Sequence, residues 1–169
     1  MSRNIVAILV KNHFGVLNRI SGMFRRKGFN IDTLTVGETD NHDLSRITIS
    51  FLGDDDKEQI IKQLEKMPDV VEVAELEAGS FVARELVLLK VKNSPENRQD
   101  ILSVVDVFRA KVVDYAPETM TIEVTGPTTK IDAFIEFLRE YGIIEMCRTG
   151  IVALTRSHGH VLGANDKKC

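Results

Sequence analysis

The stretch Lys11-Asn12-His13-Phe14-Gly15-Val16-Leu17-Asn18-Arg19-Ile20 gathers amide, imidazole and guanidinium groups around a glycine, where an apolar run gives way to a helix. Val16, Leu17, Ile20, Met23 and Phe24 follow the glycine at i, i+1, i+4, i+7 and i+8, the spacing of one helix face. The first amides of that helix, around Gly15 to Leu17, have no intrahelical partner and stand at the positive end of its dipole, so they can receive an anion. Glycine at position 15 leaves the backbone uncovered for a small carboxylate. A free amino acid needs two things more: acceptors for its ammonium and an apolar lining for its side chain. The side-chain oxygens of Asn12 and Asn30, with loop carbonyls, can supply the acceptors; Val16, Leu17 and Ile31 can supply the lining. The same residues also fit a plain turn, with Asn12 a turn former, Gly15 a steric necessity and Asn30 a hydrogen bonder at a strand edge.

Other chemistries find less support. No G-x-G-x-x-G follows a strand and no G-x-x-x-x-G-K-[ST] occurs; Gly126-Pro127-Thr128-Thr129-Lys130 is only a helix start beside a lysine. His158-Gly159-His160 has no carboxylate or thiol next to it in sequence to complete a metal site. Asp54-Asp55-Asp56 lacks the spacing of a calcium loop and reads as a helix cap. Cys147 and Cys169 form no C-x-x-C pattern, so the expectation is a reduced, cytoplasmic protein without structural metal. With 22 basic and 25 acidic side chains, no cationic excess exists for nucleic acid or an anionic membrane. The apolar run Ile5 to Val10, closed by Lys11, is too short for a leader or a membrane span. A nucleophile, a base and an orienting acid cannot be assembled from the chain, and no catalytic residue is assigned.

The elements that must hold the first stretch come in two similar series. After the first helix, Arg25-Arg26-Lys27-Gly28 marks a helix end. Phe29 to Val36 reads as a strand, Gly37 to Asp43 as a hairpin turn, and Ile47, Ile49 and Phe51 alternate with Thr48 and Ser50 on the returning strand. Ile60, Ile61, Leu64 and Met67 form a second helical stripe closed by Pro68, and Val70 to Leu76 a last strand. The order then repeats: a strand Glu85 to Lys92, a helix on Ile101, Leu102, Val105 and Phe108, and a hairpin around Pro117. A helix follows, capped by Thr128 or Thr129 and ended by Gly142, and then a closing strand Ile143 to Thr155, bent near Gly150. The expected fold class is α+β, two ferredoxin-like β-α-β-β-α-β domains in tandem over residues 1–77 and 85–156, with a linker at 78–84 and a flexible tail at 157–169. The first strand of each copy is apolar on both faces, so a second domain or a partner subunit is expected to cover the side that helices leave open.

Three segments of the first half, Asn12-x-x-Gly15-x-Leu17-x-Arg19-Ile20, Gly28-Phe29-Asn30-Ile31-x-x-Leu34-Thr35-Val36 and Leu44-Ser45-Arg46-Ile47-Thr48-Ile49, resemble the N-terminal ACT domain of the small regulatory subunits of acetolactate synthase (acetohydroxyacid synthase). Phe108-Arg109-Ala110-Lys111-Val112-Val113-Asp114, Lys130-Ile131-Asp132-Ala133-Phe134 and Arg148-Thr149-Gly150-Ile151-Val152 are similar to the C-terminal domain of the same subunits. The resemblance runs from about Arg3 to Arg156. It implies a regulatory rather than catalytic chain in branched-chain amino acid biosynthesis, without a cofactor of its own. Its partner would be the large catalytic subunit, which would carry thiamine diphosphate, magnesium and FAD and condense pyruvate with pyruvate or 2-oxobutyrate. The small subunit would raise that activity and confer feedback inhibition, by valine or another branched-chain amino acid. It further implies a homodimer in which Asn12, Gly15, Val16 and Leu17 of one chain face Asn30 and Ile31 of the other across the effector.

Alternative readings are a stand-alone amino-acid-sensing ACT regulator, an RNA-binding ferredoxin-like domain and an enzyme using His13 as base. The regulator would need a DNA-reading helix and the RNA binder exposed aromatics on its central strands, where Phe51 is the aromatic present. The enzyme would need a partner acid for His13.

Overall fold

In the computed structural model, which describes residues 3–53, 57–77, 79–156 and 162–163, the two periodicities of the sequence become antiparallel sheets with helices on one side. One unit comprises Met1–Val82 together with Ile151–Cys169, the other Ala83–Gly150.

In unit 1 the order is β1 (Arg3–Lys11), α1 (Val16–Lys27), β2 (Thr33–Glu38), β3 (Leu44–Leu52), α2 (Lys57–Glu65) and β4 (Val70–Glu75), with the strands side by side as β2-β3-β1-β4. This is the expected ferredoxin-like arrangement. Val6, Ile8 and Val10 of β1 and Ile47, Ile49 and Phe51 of β3 form the face that takes Ile20, Met23 and Phe24 of α1 and Ile60 and Leu64 of α2. Phe24 and Phe51 meet edge to face, their centroids 6.1 Å apart.

Helix α1 ends where three basic residues meet a glycine. Gly28 adopts φ 75°, its amide donates to Arg25 O and that of Phe29 to Phe24 O, the two bonds of a Schellman motif. Phe29 then packs against the core instead of starting a strand, and β2 begins only at Thr33. The strand expected from Phe29 is corrected accordingly, and Asn30 lies before β2. Gly28→Ala should cost about 1 kcal/mol, because a Cβ disfavours the left-handed region even in open space; a urea unfolding midpoint would register it.

Unit 2 repeats the order as β5 (Phe81–Lys92), α3 (Arg98–Val107), β6 (Lys111–Tyr115), β7 (Thr119–Gly126), α4 (Thr128–Arg139) and β8 (Ile143–Arg148), with strands β6-β7-β5-β8. Val87, Leu89 and Val91 face Ile101, Val105, Ile131, Phe134 and Leu138. The linker expected at 78–84 is already strand from Phe81, because alternation of burial begins there. The threonine cap expected on α4 is absent as such. Pro127 stands at the cap, and the Thr128 hydroxyl donates to the buried Glu85 carboxylate. Glu85 also receives Arg148 Nε, whose Nη1 lies 2.9 Å from Asp132 Oδ1. Burial works against the Arg148 cation, but bonds and charges from Glu85 and Asp132 outweigh it and lift its pKa above the ordinary value.

The closing strand is two strands. β8 stops at Arg148, Gly150 turns with φ 84°, and β9 (Val152–Thr155) pairs with β5. The segment after Gly150 belongs to unit 1, and a Cβ on Gly163 would stand 3.3 Å from Leu9 Cδ2. Arg46, opposite Leu9 on β3, donates from Nη2 to Ala153 O at 2.9 Å, and burial pushes its pKa down. Glu72 accepts from Gly163 N at 2.8 Å. The cover expected from a separate domain or partner is here supplied in part by the same unit. In unit 2 the corresponding face leaves Leu88 39% exposed, so β5 alternates where continuous burial was expected.

The aspartates 54–56, the histidines at 158 and 160 and most of the expected tail lie outside the described residues.

Candidate effector site

The loop between β1 and α1 is held from three directions. The Asn12 amide donates to Asp43 O at 2.7 Å. Its side-chain Nδ2 donates to His42 O at 2.9 Å and to Glu38 Oε1 at 3.2 Å. Two acceptors facing one amide nitrogen fix the orientation of the side chain, and Oδ1 is then the atom turned to other donors. Asn12 thus clamps the loop to the β2–β3 hairpin and retains an acceptor, as an ammonium would require.

Gly15 stands at the helix cap with φ 85° and ψ −6°. The first turn that follows is Val16-Leu17-Asn18-Arg19, without a carboxylate to neutralise the helix dipole. Val16 is 4% exposed and packed in the core, so its amide rather than its side chain is what it can offer a ligand. Leu17, 42% exposed, can serve as apolar lining, and Phe14 at the tip is fully exposed.

Asn30 is exposed and Ile31 is partly packed against the unit 1 core. They follow the far end of α1, whose 12 residues rise about 18 Å. Within one chain the two halves of the expected site are therefore set apart by the length of that helix.

A group that the sequence reading missed lies against the loop. Asp69, 8% exposed, sits just before β4; His13 Nε2 is 3.0 Å from its Oδ1 and Arg19 Nη2 is 2.5 Å from its Oδ2. Lys11 N donates to Asp69 O at 2.9 Å, which places the residue beside the end of β1. The signal available was topological: in a β-α-β-β-α-β unit the start of the last strand neighbours the end of the first. Asp69 supplies the acid that a catalytic reading of His13 lacked. Yet Asp69 is shared with Arg19, and the other ring nitrogen of His13 faces Phe14 O at 3.2 Å instead of a hydroxyl or thiol.

Among the described residues no group of three or more His, Cys, Asp or Glu stands close enough to hold a metal ion, and no helix is long and apolar enough to cross a membrane.

Comparison with known proteins agrees in both halves. A family model described as the AHAS small subunit-like ACT domain matches residues 6–72, and one described as the small subunit of acetolactate synthase matches residues 84–157. The chain is 48% identical over 157 residues to a probable acetolactate synthase small subunit of Archaeoglobus fulgidus, covering 92% of this chain and 98% of that one. It is 43% identical over 156 residues to the acetolactate synthase small subunit of Bacillus subtilis, covering 91% of each. The crystal structure of the small subunit from Thermotoga maritima superposes with a TM-score of 0.85 at 40% identity, over 92% of this chain and 98% of that one. An ACT-type first half, a matching second half and near full-length similarity to these subunits together place the chain in the acetolactate synthase small-subunit family.

Proposed function

We propose that this chain regulates the large catalytic subunit of acetolactate synthase, raising its activity and making it sensitive to valine or a related branched-chain amino acid. The observation that carries the reading is the open start of α1: Gly15 in the left-handed region, amides behind it without a side-chain cap, and Asn12 held through Nδ2, which leaves Oδ1 as its acceptor. A zwitterion fits that arrangement, carboxylate to the amides and ammonium to Asn12 Oδ1, with Leu17 along its side chain. The site is completed in a homodimer by Asn30 and Ile31 of the second copy. The effector then favours one dimer geometry that the large subunit senses. A coupling of about 1–3 kcal/mol would change activity several-fold to about a hundredfold. The chain itself does no chemistry and holds no cofactor; thiamine diphosphate, magnesium and FAD belong to the large subunit.

The direct test is acetolactate formation by the cognate large subunit, alone, with this chain, and with valine added. Stimulation followed by valine-dependent loss is expected, whereas an unchanged rate in all three mixtures would favour a stand-alone sensor. Asn30→Ala should weaken effector binding about tenfold, the loss of one good polar contact, in calorimetry on the isolated chain.

A further inference from the structure

We propose that Arg19 is itself an effector ligand, taking the carboxylate through Nη1 while Asp69 holds the other arm of the guanidinium. This rests on the reading that the loop from Asn12 to Leu17 takes a branched-chain amino acid. Arg19 lies one helical turn after Gly15, its amide bonded to Gly15 O at 2.9 Å. Its side chain turns back along the helix, so that Nη1 lies 3.7 Å from where a Cβ on Gly15 would stand. A carboxylate seated over the Gly15 backbone therefore meets a cation as well as peptide amides.

Asp69 explains why the guanidinium is found there. Its carboxylate is almost fully enclosed, and Arg19 Nη2 stands 2.5 Å from Oδ2. Even so, Oδ2 has no properly aligned hydrogen bond. The ion pair anchors the side chain without using its donors well. Arginine carries five N–H groups in a planar fork, so Nη1 and Nε remain to serve a second oxyanion. The Arg19 side chain is 47% exposed, open to an arriving ligand. His13 occupies the opposite oxygen of Asp69 at 3.0 Å, which keeps the carboxylate turned with Oδ2 toward Arg19. In this arrangement Arg19 binds, and Asp69 positions it.

Valine calorimetry on the full chain, with thermal unfolding alongside, tests the assignment. Arg19→Met should raise the valine Kd tenfold or more and Arg19→Lys should recover part of the loss, because a cation is restored without the fork. Asp69→Asn should weaken binding on its own but add nothing in the Arg19→Met background, since its effect runs through the guanidinium. A folded Arg19→Met chain that binds within twofold of the parent overturns the proposal, as does a fully additive Asp69→Asn effect. Should the parent chain take up none of valine, leucine or isoleucine at millimolar concentration, the effector reading falls and Arg19 falls with it.

Discussion

Gly15→Asp is expected to abolish valine inhibition and to weaken valine binding by about a hundredfold, close to 3 kcal/mol, in a chain that still folds. Two effects act together. The introduced carboxylate would stand where the ligand carboxylate belongs, near the same α1 amides and within reach of Arg19 Nη1, 3.7 Å from the new Cβ. It would satisfy the positive end of the helix from within and repel the ligand. The backbone at φ 85° also disfavours any L residue, although Asp is among those that tolerate that region best. The surrounding space is in ordinary contact distance, so the fold should survive with a modest loss of stability. Calorimetry and an inhibition assay on the reconstituted enzyme should agree; a folded variant that keeps full valine sensitivity would remove the loop from consideration as the site.

The largest effect on stability is expected in unit 2. Glu85→Ala should destabilise it by about 3 kcal/mol, the low end of the cost of removing one member of a buried ion pair, because the more exposed Asp132 remains as the partner of Arg148. The Glu85 side chain is 1% exposed and that of Arg148 26% exposed, so the cation left behind would be poorly solvated. Thr128 would lose its acceptor at the start of α4 in the same step. Glu85→Gln keeps one acceptor oxygen, enough for Arg148 Nε, while its amide nitrogen can donate to the Thr128 hydroxyl, and it should cost less. Denaturant unfolding of the full chain, followed by a probe on α3 or α4, separates the two. A loss under 1 kcal/mol for the alanine variant would mean that Asp132 and water together satisfy the Arg148 guanidinium.

Much of this fold was readable because burial periodicity and local turn chemistry point the same way. Ile20, Met23 and Phe24 on α1, and Ile47, Ile49 and Phe51 on β3, announce their faces by spacing alone, and each is buried as that spacing requires. Gly28 ends α1 for the reason its neighbours suggest. The misreadings fall where another partner, near or far in sequence, overrides the preference that residue type suggests. Thr128 looks like a helix cap, but Glu85, 43 residues earlier, claims its hydroxyl. Phe29 looks like a strand residue, but the Schellman turn and the aromatic core draw it inward. At the candidate site Asn12, Gly15 and Leu17 could be found from local pattern. Asp69 could not, because its relation to His13 and Arg19 exists only once β4 lies beside β1.

The return of residues after Gly150 to the first sheet makes unit 1 discontinuous along the gene product. During synthesis β1 to β4 emerge first, yet the segment that meets Arg46, Leu9 and Glu72 leaves the ribosome only after all of unit 2. The nascent N-terminal half must therefore wait with part of an apolar surface bare. A polypeptide cut at residue 150 would keep every strand of the ferredoxin-like order but expose that surface permanently, and self-association of the fragment is the expected result.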